Sequence, residues 1–483
     1  MDAKEYLKNL PENISVKERL AIPQQEMPSQ ESDVRKHNMD EVALGYTEDQ
    51  VVLEANRCLQ CKNMPCTQGC PVNINIPAFI ERVTKRDFDG ALSVIQESSL
   101  LPAICGRVCP QENQCQKFCT VGKTHKDVDK AVAIGRIERY VADHAHPVLP
   151  TVKSESGKKV AVVGSGPASI AAAADLRKEG HRVVMFEALH KTGGVLVYGI
   201  PEFRLPKALV QKEIDKLKEI GVEINTNFLV GRTRTINELF KEDKFDAIFV
   251  GTGAGLPKFM NIPGENLVGV FSANEYLTRS NLMKAYNEED AMTPLYHSKN
   301  VAVFGGGNVA MDAARTALRL GAEKVSIIYR RTREEMPARK EEVMHAMEEG
   351  VEFLMLNQPV EIIGDENGKV TGVKVIKCEL GEPDSTGRRS PLEIPGSEEV
   401  LPFDTVIVSI GNASNPLIKM TTPEIEVNRR GNFIVNPDTG ETSIKGLYAG
   451  GDIVLGAATV ILAMGEGRKA AKAINEYLRS KEE

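Results

Sequence analysis

The sequence predicts an α/β fold in which a helical, cysteine-bearing region precedes two nucleotide-binding units built on parallel strands. Three observations carry this. Eight of the nine cysteines fall between Cys58 and Cys119. Two glycine-rich turns, at Gly164 and Gly305, are each entered by a β-branched run and followed by an Ala-rich helical stretch. From Lys159 onward, short apolar runs alternate with helices, the alternation expected of a parallel sheet.

At 483 residues the chain exceeds what one hydrophobic core supports. The first break is expected between Ala145 and Lys159, where His-Pro, Leu-Pro and a polar stretch interrupt helical spacing. Before it, Ile76 to Gln96 and Lys130 to His144 show helix-like apolar spacing, with the cysteines in Pro-, Asn- and Gly-rich loops between them. The expected domains are 1–150, helical; 151–290, first part of one nucleotide domain; 291–403, a second nucleotide domain inserted in it; and 404–483, the remainder of the first.

In the first unit, strand Lys159 to Val163 enters Gly164-Ser165-Gly166-Pro167-Ala168-Ser169 and the helix Ile170 to Glu179. Gly164 permits the tight turn, Gly166 lets backbone amides approach a pyrophosphate, and the third position needs a small residue, here Ser169 in place of Gly or Ala. The next strand, Arg182 to Phe186, ends in Glu187, placed to accept from a ribose 2'-hydroxyl. Strand, helix and acid in register point to an adenine dinucleotide.

The second unit runs from strand Asn300 to Phe304 into Gly305-Gly306-Gly307-Asn308-Val309-Ala310 and the helix Met311 to Leu320. Its next strand, Val325 to Tyr329, ends in Arg330 and Arg331, with Arg333 close behind. Guanidinium groups where the first unit has a carboxylate suit a 2'-phosphate, so this unit is expected to take NADP(H). A flavin then falls to the first unit. Phe245 to Gly253 and Asp404 to Gly411 each read as a strand followed by a glycine-bearing turn, and mark where the chain passes between the two units. Near the end, Gly450-Gly451-Asp452 precedes an apolar helix from about Ala458, which places Asp452 against a flavin.

The cysteines form C-x2-C-x4-C-x3-C-P, ending at Cys70 and Pro71, and C-x3-C-x5-C-x3-C, ending at Cys119. Eight thiolates complete two four-cysteine iron-sulfur clusters, and in bacterial ferredoxin runs the fourth cysteine ligates the other cluster, a crossing open to Cys70 and Cys119. Zinc prefers two close C-x2-C pairs, and the second group has none. Disulfides require an oxidising compartment, whereas Met1 to Gln25 is charged throughout without a secretory apolar region. Cys378 stands alone and reads as a small buried hydrophobe. A net charge of -7 and 5% aromatic residues argue against a nucleic-acid surface, and no apolar run reaches membrane-spanning length. The chain is expected in the cytoplasm.

Taken together, Cys58 to Pro71, Cys105-Gly106-Arg107-Val108-Cys109-Pro110, Gly193 to Pro201, Tyr329-Arg330-Arg331 and Gly450-Gly451-Asp452 resemble the glutamate synthase small (beta) subunit family over nearly the whole chain. The same module is similar to the large subunit of NADH-dependent reduced ferredoxin:NADP oxidoreductase and to the N-terminal half of dihydropyrimidine dehydrogenase. The resemblance implies FAD, NADPH and two [4Fe-4S] clusters, and includes Gly194 among the cofactor-binding positions. One cluster would take Cys58, Cys61, Cys66 and Cys119, and the other Cys70, Cys109 and Cys115. Its fourth ligand would be Glu138, in Ile134-Gly135-Arg136-Ile137-Glu138, with Cys105 a neighbour; simple counting offers Cys105 instead.

The expected reaction passes hydride from NADPH to FAD and electrons singly to the clusters and a partner, with no catalytic acid or base. A disulfide-reductase reading lacks its paired cysteines after Cys119. The partner would be an FMN-containing large chain, as in glutamate synthase. The segments Arg19 to Pro28 and Gly45-Tyr46-Thr47 resemble homologues of anaerobes instead. That resemblance brings in the bifurcating ferredoxin:NADP oxidoreductase, whose partner is a small FAD and [2Fe-2S] chain with ferredoxin as a further partner, and a sulfide dehydrogenase-type reductase. A zinc-stabilised flavoprotein or a regulatory binding module is the competing class.

Overall fold

The structure is a computed structural model and describes residues 2–147, 149–383 and 387–481. The N-terminal region is helical. Helix α1 (Glu48–Asn56) starts with a capping box in which Thr47 and Gln50 satisfy each other's backbone amides. The expected helix from Ile76 to Gln96 is two helices, α2 (Ile76–Thr84) and α3 (Phe88–Gln96). The reason is local: Arg86 takes a left-handed φ of 58°, and the Asp87 side chain accepts from Gly90 N to start α3. Helices α4 (Pro102–Val108) and α5 (Ile134–His144) pack on each other. Phe79, Ile80, Ile95 and Ile137 share one buried core with most of the cysteines.

The chain then lays down β1 (Lys159–Val163), α6 (Pro167–Lys178), β2 (Arg182–Phe186), β3 (Glu223–Asn225) and β4 (Ala247–Val250). It crosses over to build β5 (Val270–Ser272), α7 (Ala273–Asn281), β6 (Asn300–Phe304), α8 (Asn308–Arg319), β7 (Lys324–Tyr329), α9 (Lys340–Glu348) and β8 (Glu352–Met355). Four antiparallel strands follow, β9 (Asn357–Gly364), β10 (Val370–Pro383), β11 (Arg389–Glu393) and β12 (Glu399–Pro402). The chain finishes with β13 (Thr405–Val408), β14 (Leu447–Ala449) and α10 (Val460–Arg479).

Two parallel five-stranded sheets result, in the orders β14-β4-β1-β2-β3 and β5-β13-β6-β7-β8. Their inner strands are buried along almost their whole length, as expected of sheets covered on both faces, while the edge strands β3 and β8 are partly exposed. Two crossings join them, and these crossings pair with each other: Leu256–Pro257 runs antiparallel to Asn412–Ala413. The expected limits at 290 and 404 therefore move. β5 pairs with β13, and β13 pairs with β6, so Val270–Ser272 and Thr405–Val408 both belong to the inserted sheet. Among the described residues no helix is long and apolar enough to cross a membrane.

Buried ion pairs fasten the three regions together around α8 and α9. Arg35, from the N-terminal segment, reaches Glu349 at 2.9 Å and Glu348 at 2.6 Å. Arg204, following β2, reaches Asp312 at 2.7 Å and Glu342 at 3.2 Å. Arg315, fully buried, lies 2.5 Å from Glu342 and 2.7 Å from Glu349. The Phe203 ring sits under the guanidiniums of Arg315 and Arg319, 4.8 and 3.9 Å from its centroid. Charges this deep are tolerated because each has an opposite partner and hydrogen bonds.

Candidate redox site

The first glycine-rich turn joins β1 to α6. Gly164 has φ +98°, and a β-carbon there would stand 2.6 Å from the Gly251 carbonyl at the end of β4. Only glycine lets those two strand ends approach. Gly166 is the residue that opens α6, leaving that helix's first amides free toward a ligand. Ser169 is buried, and its hydroxyl donates to Gly251 O at 3.4 Å, so the departure from Gly or Ala adds a tie to β4.

Glu187 ends β2 as expected and is buried. Its Oε1 accepts from Leu189 N at 2.7 Å, and its Oε2 accepts from the Ser165 hydroxyl, which itself accepts from Gly193 N at 2.9 Å. Burial pushes its carboxyl above the ordinary value. Gly194 opens the short helical turn Val195–Tyr198. Burial raises the Tyr198 hydroxyl to about 12, and the carboxylates of Asp452 and Glu187 push it the same way. The Tyr198 hydroxyl thus feels the charge of both acids that the sequence singled out at opposite ends of this unit. The Asp452 carboxyl, also raised by burial to about 6, accepts from Ala458 N at 3.3 Å.

The second turn repeats the arrangement. Gly305 has φ +133°, and a β-carbon there would overlap the Ser409 carbonyl. Gly307 opens α8, Ala310 is fully buried, and Asn308 Oδ1 accepts from Arg339 N at 2.8 Å. The two arginines after β7 differ. Arg330 is exposed, whereas Arg331 is buried with its Nε donating to Arg389 O at 2.7 Å. Arg388, just before β11, donates to Tyr329 Oη at 2.9 Å and to Glu335 O at 3.2 Å. It stands beside the turn through a long-range pairing that leaves no periodic signal in the sequence.

The cysteines gather in two sets. Cys58, Cys61, Cys66 and Cys119 line one cavity with Ile76, Ile80 and Val121. Burial pushes Cys58 up to about 11 and Cys66 to about 12, and the neighbouring thiols add to it. Cys70, Cys109 and Cys115 form the other set together with Glu138. Each of these three thiols is raised by burial and feels Glu138, and for Cys109 a hydrogen bond with Cys105 is the largest cause. Glu138 is buried on α5, burial raises its carboxyl to about 8, and its Oε1 has no hydrogen-bond partner. A buried carboxylate oxygen without a partner carries a desolvation cost that a bound cation would offset. Soft sulfur donors in fours suit an iron-sulfur cluster. Among the described residues no three or more His, Cys, Asp and Glu stand close enough to hold a single metal ion. Cys378 is buried on β10, apart from both sets.

Residues 35–148 match the family described as dihydropyrimidine dehydrogenase domain II, 4Fe-4S cluster, and residues 158–474 match pyridine nucleotide-disulphide oxidoreductase. The chain is 38% identical to the glutamate synthase [NADPH] small chain of Azospirillum brasilense over 93% of both proteins. It is 39% identical to the NADP(+)-dependent formate dehydrogenase subunit beta of Moorella thermoacetica, over 86% of this chain but 60% of that longer protein. Among solved structures, Mycobacterium tuberculosis FprA in complex with NADPH aligns with TM-score 0.57 and 21% identity, over 67% of this chain and 85% of that one, a likeness of fold. The chain belongs to the pyridine nucleotide-disulphide oxidoreductase family, in the branch of the glutamate synthase small chains.

Proposed function

We propose that this NADPH-dependent FAD and iron-sulfur oxidoreductase is the electron-input subunit of a larger enzyme, carrying two [4Fe-4S] clusters and delivering electrons to a partner in the cytoplasm. When bound, FAD converts a two-electron hydride into single electrons and the clusters conduct them. The chain's own residues bind, orient and insulate. Gly164, Gly166 and Ser169 present the α6 amides to the flavin dinucleotide, while Glu187, Gly194 and Asp452 border its ribose and ring. Gly305, Gly307, Asn308 and Ala310 present the α8 amides to NADPH, and Arg330, with Arg331 behind it, meets the 2'-phosphate. Positioning supplies the rate, since hydride transfer calls for no side-chain acid or base.

Cys58, Cys61, Cys66 and Cys119 would hold one cluster, and Cys70, Cys109, Cys115 and Glu138 the other. The unpartnered Glu138 Oε1 among three raised thiols is the observation that carries this reading. Iron and acid-labile sulfide analysis of anaerobically purified protein should return about eight irons per chain. Glu138→Ala should alter one electron paramagnetic resonance signal, whereas Cys105→Ala should leave both signals intact. Iron lost in Cys105→Ala but not in Glu138→Ala would reverse the ligand assignment, and a yellow, iron-free protein would overturn the function.

The glutamate synthase relative is named a small chain and the formate dehydrogenase relative a subunit beta, which supports a partner subunit here. Co-purification identifies it: an FMN-containing large chain with glutaminase makes this a glutamate synthase, and a small FAD and [2Fe-2S] chain makes it a ferredoxin:NADP oxidoreductase.

A further inference from the structure

Of the eight cysteines from Cys58 to Cys119, seven are buried and Cys61 is the one that is not. Its sulfur lies 3.2 Å from Thr120 Oγ1, which brings the loop after Cys61 against the segment around Cys119. The same two segments meet again where a side chain at Gly69 would overlap the Phe118 ring, and within the first of them Gln68 Nε2 donates to Asn63 O at 3.1 Å. Lys123 Nζ lies 5.6 Å from the centroid of that ring. Met64 and Phe118 are exposed apolar side chains on this face, 37% and 39% accessible.

The charge of this face is one-sided. Every charged side chain from 57 to 70 and from 113 to 126 is basic, although the chain as a whole carries -7. Lys62, Lys117, Lys123 and Lys126 are exposed, and among the described residues none has an ion-pair partner. Of the acids that follow, Asp129 is paired with Lys340 at 3.1 Å, and Asp127 accepts from Asp129 N at 2.9 Å. Unpaired lysines around exposed Met and Phe, over the least buried ligand position, make a surface that steers and then desolvates a partner of opposite charge.

We infer that this face, Lys62 to Met64 with Lys117 to Lys126, is where electrons leave the protein, and that it docks an acidic protein carrying a one-electron centre. The inference rests on the function proposed above and adds the exit. Each encounter moves one electron and no atom: the partner's centre is reduced by one, and oxidation of one NADPH to NADP+, with release of one proton, supplies two encounters.

The test uses the iron-loaded protein, NADPH, and two acceptors, an acidic bacterial ferredoxin and the basic cytochrome c. In the combined variant Lys62→Glu, Lys117→Glu, Lys123→Glu, kcat/KM for ferredoxin should fall about tenfold or more at low salt, and the gap should close at about 0.5 M salt. Cytochrome c reduction should move the opposite way, and the rate at which NADPH bleaches the flavin should stay unchanged. The corresponding Lys→Gln variant should fall between wild type and the Glu variant. Unchanged ferredoxin kinetics, or an equal loss for both acceptors, overturns the docking surface. Wild-type protein that holds its iron and bleaches with NADPH yet reduces neither acceptor overturns the electron path itself.

Discussion

Arg204 Nη1 lies 2.7 Å from both carboxylate oxygens of Asp312, a buried contact that ties the loop after β2 to helix α8. The two nucleotide units are thus held by charge at a point remote from their crossing strands. Removing one partner strands the other in a low-dielectric interior. Arg204→Ala should cost about 3–5 kcal/mol, read as a shift of the urea midpoint by circular dichroism. An isosteric apolar replacement of both partners should cost far less, which separates the pair's geometry from its charge.

The same cluster gives stability an acid limb. Burial opposes ionisation of Glu342, but Arg204 and Arg315 outweigh it and hold its carboxyl at about 2. Glu349 is depressed below the usual carboxylate range as well, by Arg315 and Arg319 against its own burial. A lowered carboxyl stabilises the fold above its unfolded value of about 4.3 and loses that contribution as pH falls toward 2. The stability advantage of wild type over Glu342→Gln should be complete at neutral pH and shrink through that window. An advantage that grew on acidification would contradict the sign.

Arg330→Ala should raise the Michaelis constant for NADPH about tenfold or more and leave that for NADH nearly unchanged, since the proposed charge-assisted phosphate contact would be lost. Arg331→Ala should combine a smaller effect on NADPH with a lower melting temperature, because its Nε also holds Arg389 O. Equal losses for both nucleotides would make the two arginines structural.

Glu187→Ala should weaken flavin retention, measured as absorbance remaining with the protein after gel filtration. The substitution removes the acceptor for Ser165 and Leu189 as well as the proposed ribose contact. Ser165→Ala, which loosens the turn but keeps the carboxylate, should retain more flavin than Glu187→Ala.

Much of the chain was legible because its signals are local. β1, β2 and β6 have the limits read from the sequence, since a β-branched run ending in a glycine turn admits few alternatives. What escaped depends on distant partners. No local signal singles out Glu349, Arg315 and Arg35, and only packing reveals that they bury one another. The inserted sheet takes β5 and β13 because of pairing across more than a hundred residues, which shifts the limits expected at 290 and 404. Arg388 arrives beside Tyr329 at the entry to β11, which has no counterpart in the nucleotide motif. Within the cysteine region the spacing announced metal chemistry, whereas the isolation of Glu138 Oε1 became visible only in three dimensions.

The position of β14 constrains how the molecule is made. It lies against β4 at the edge of the first sheet, and α10 then packs along α6. A ribosome emits everything needed for the inserted sheet by Val408, but the first sheet waits for Leu447–Ala449 and the last helix. The inserted half, proposed above to take NADPH, is therefore expected to mature first on the nascent chain, with its sister half completed only as synthesis ends. A transcript cut short after Val408 would yield a product that recognises pyridine nucleotide but stays colourless at the flavin.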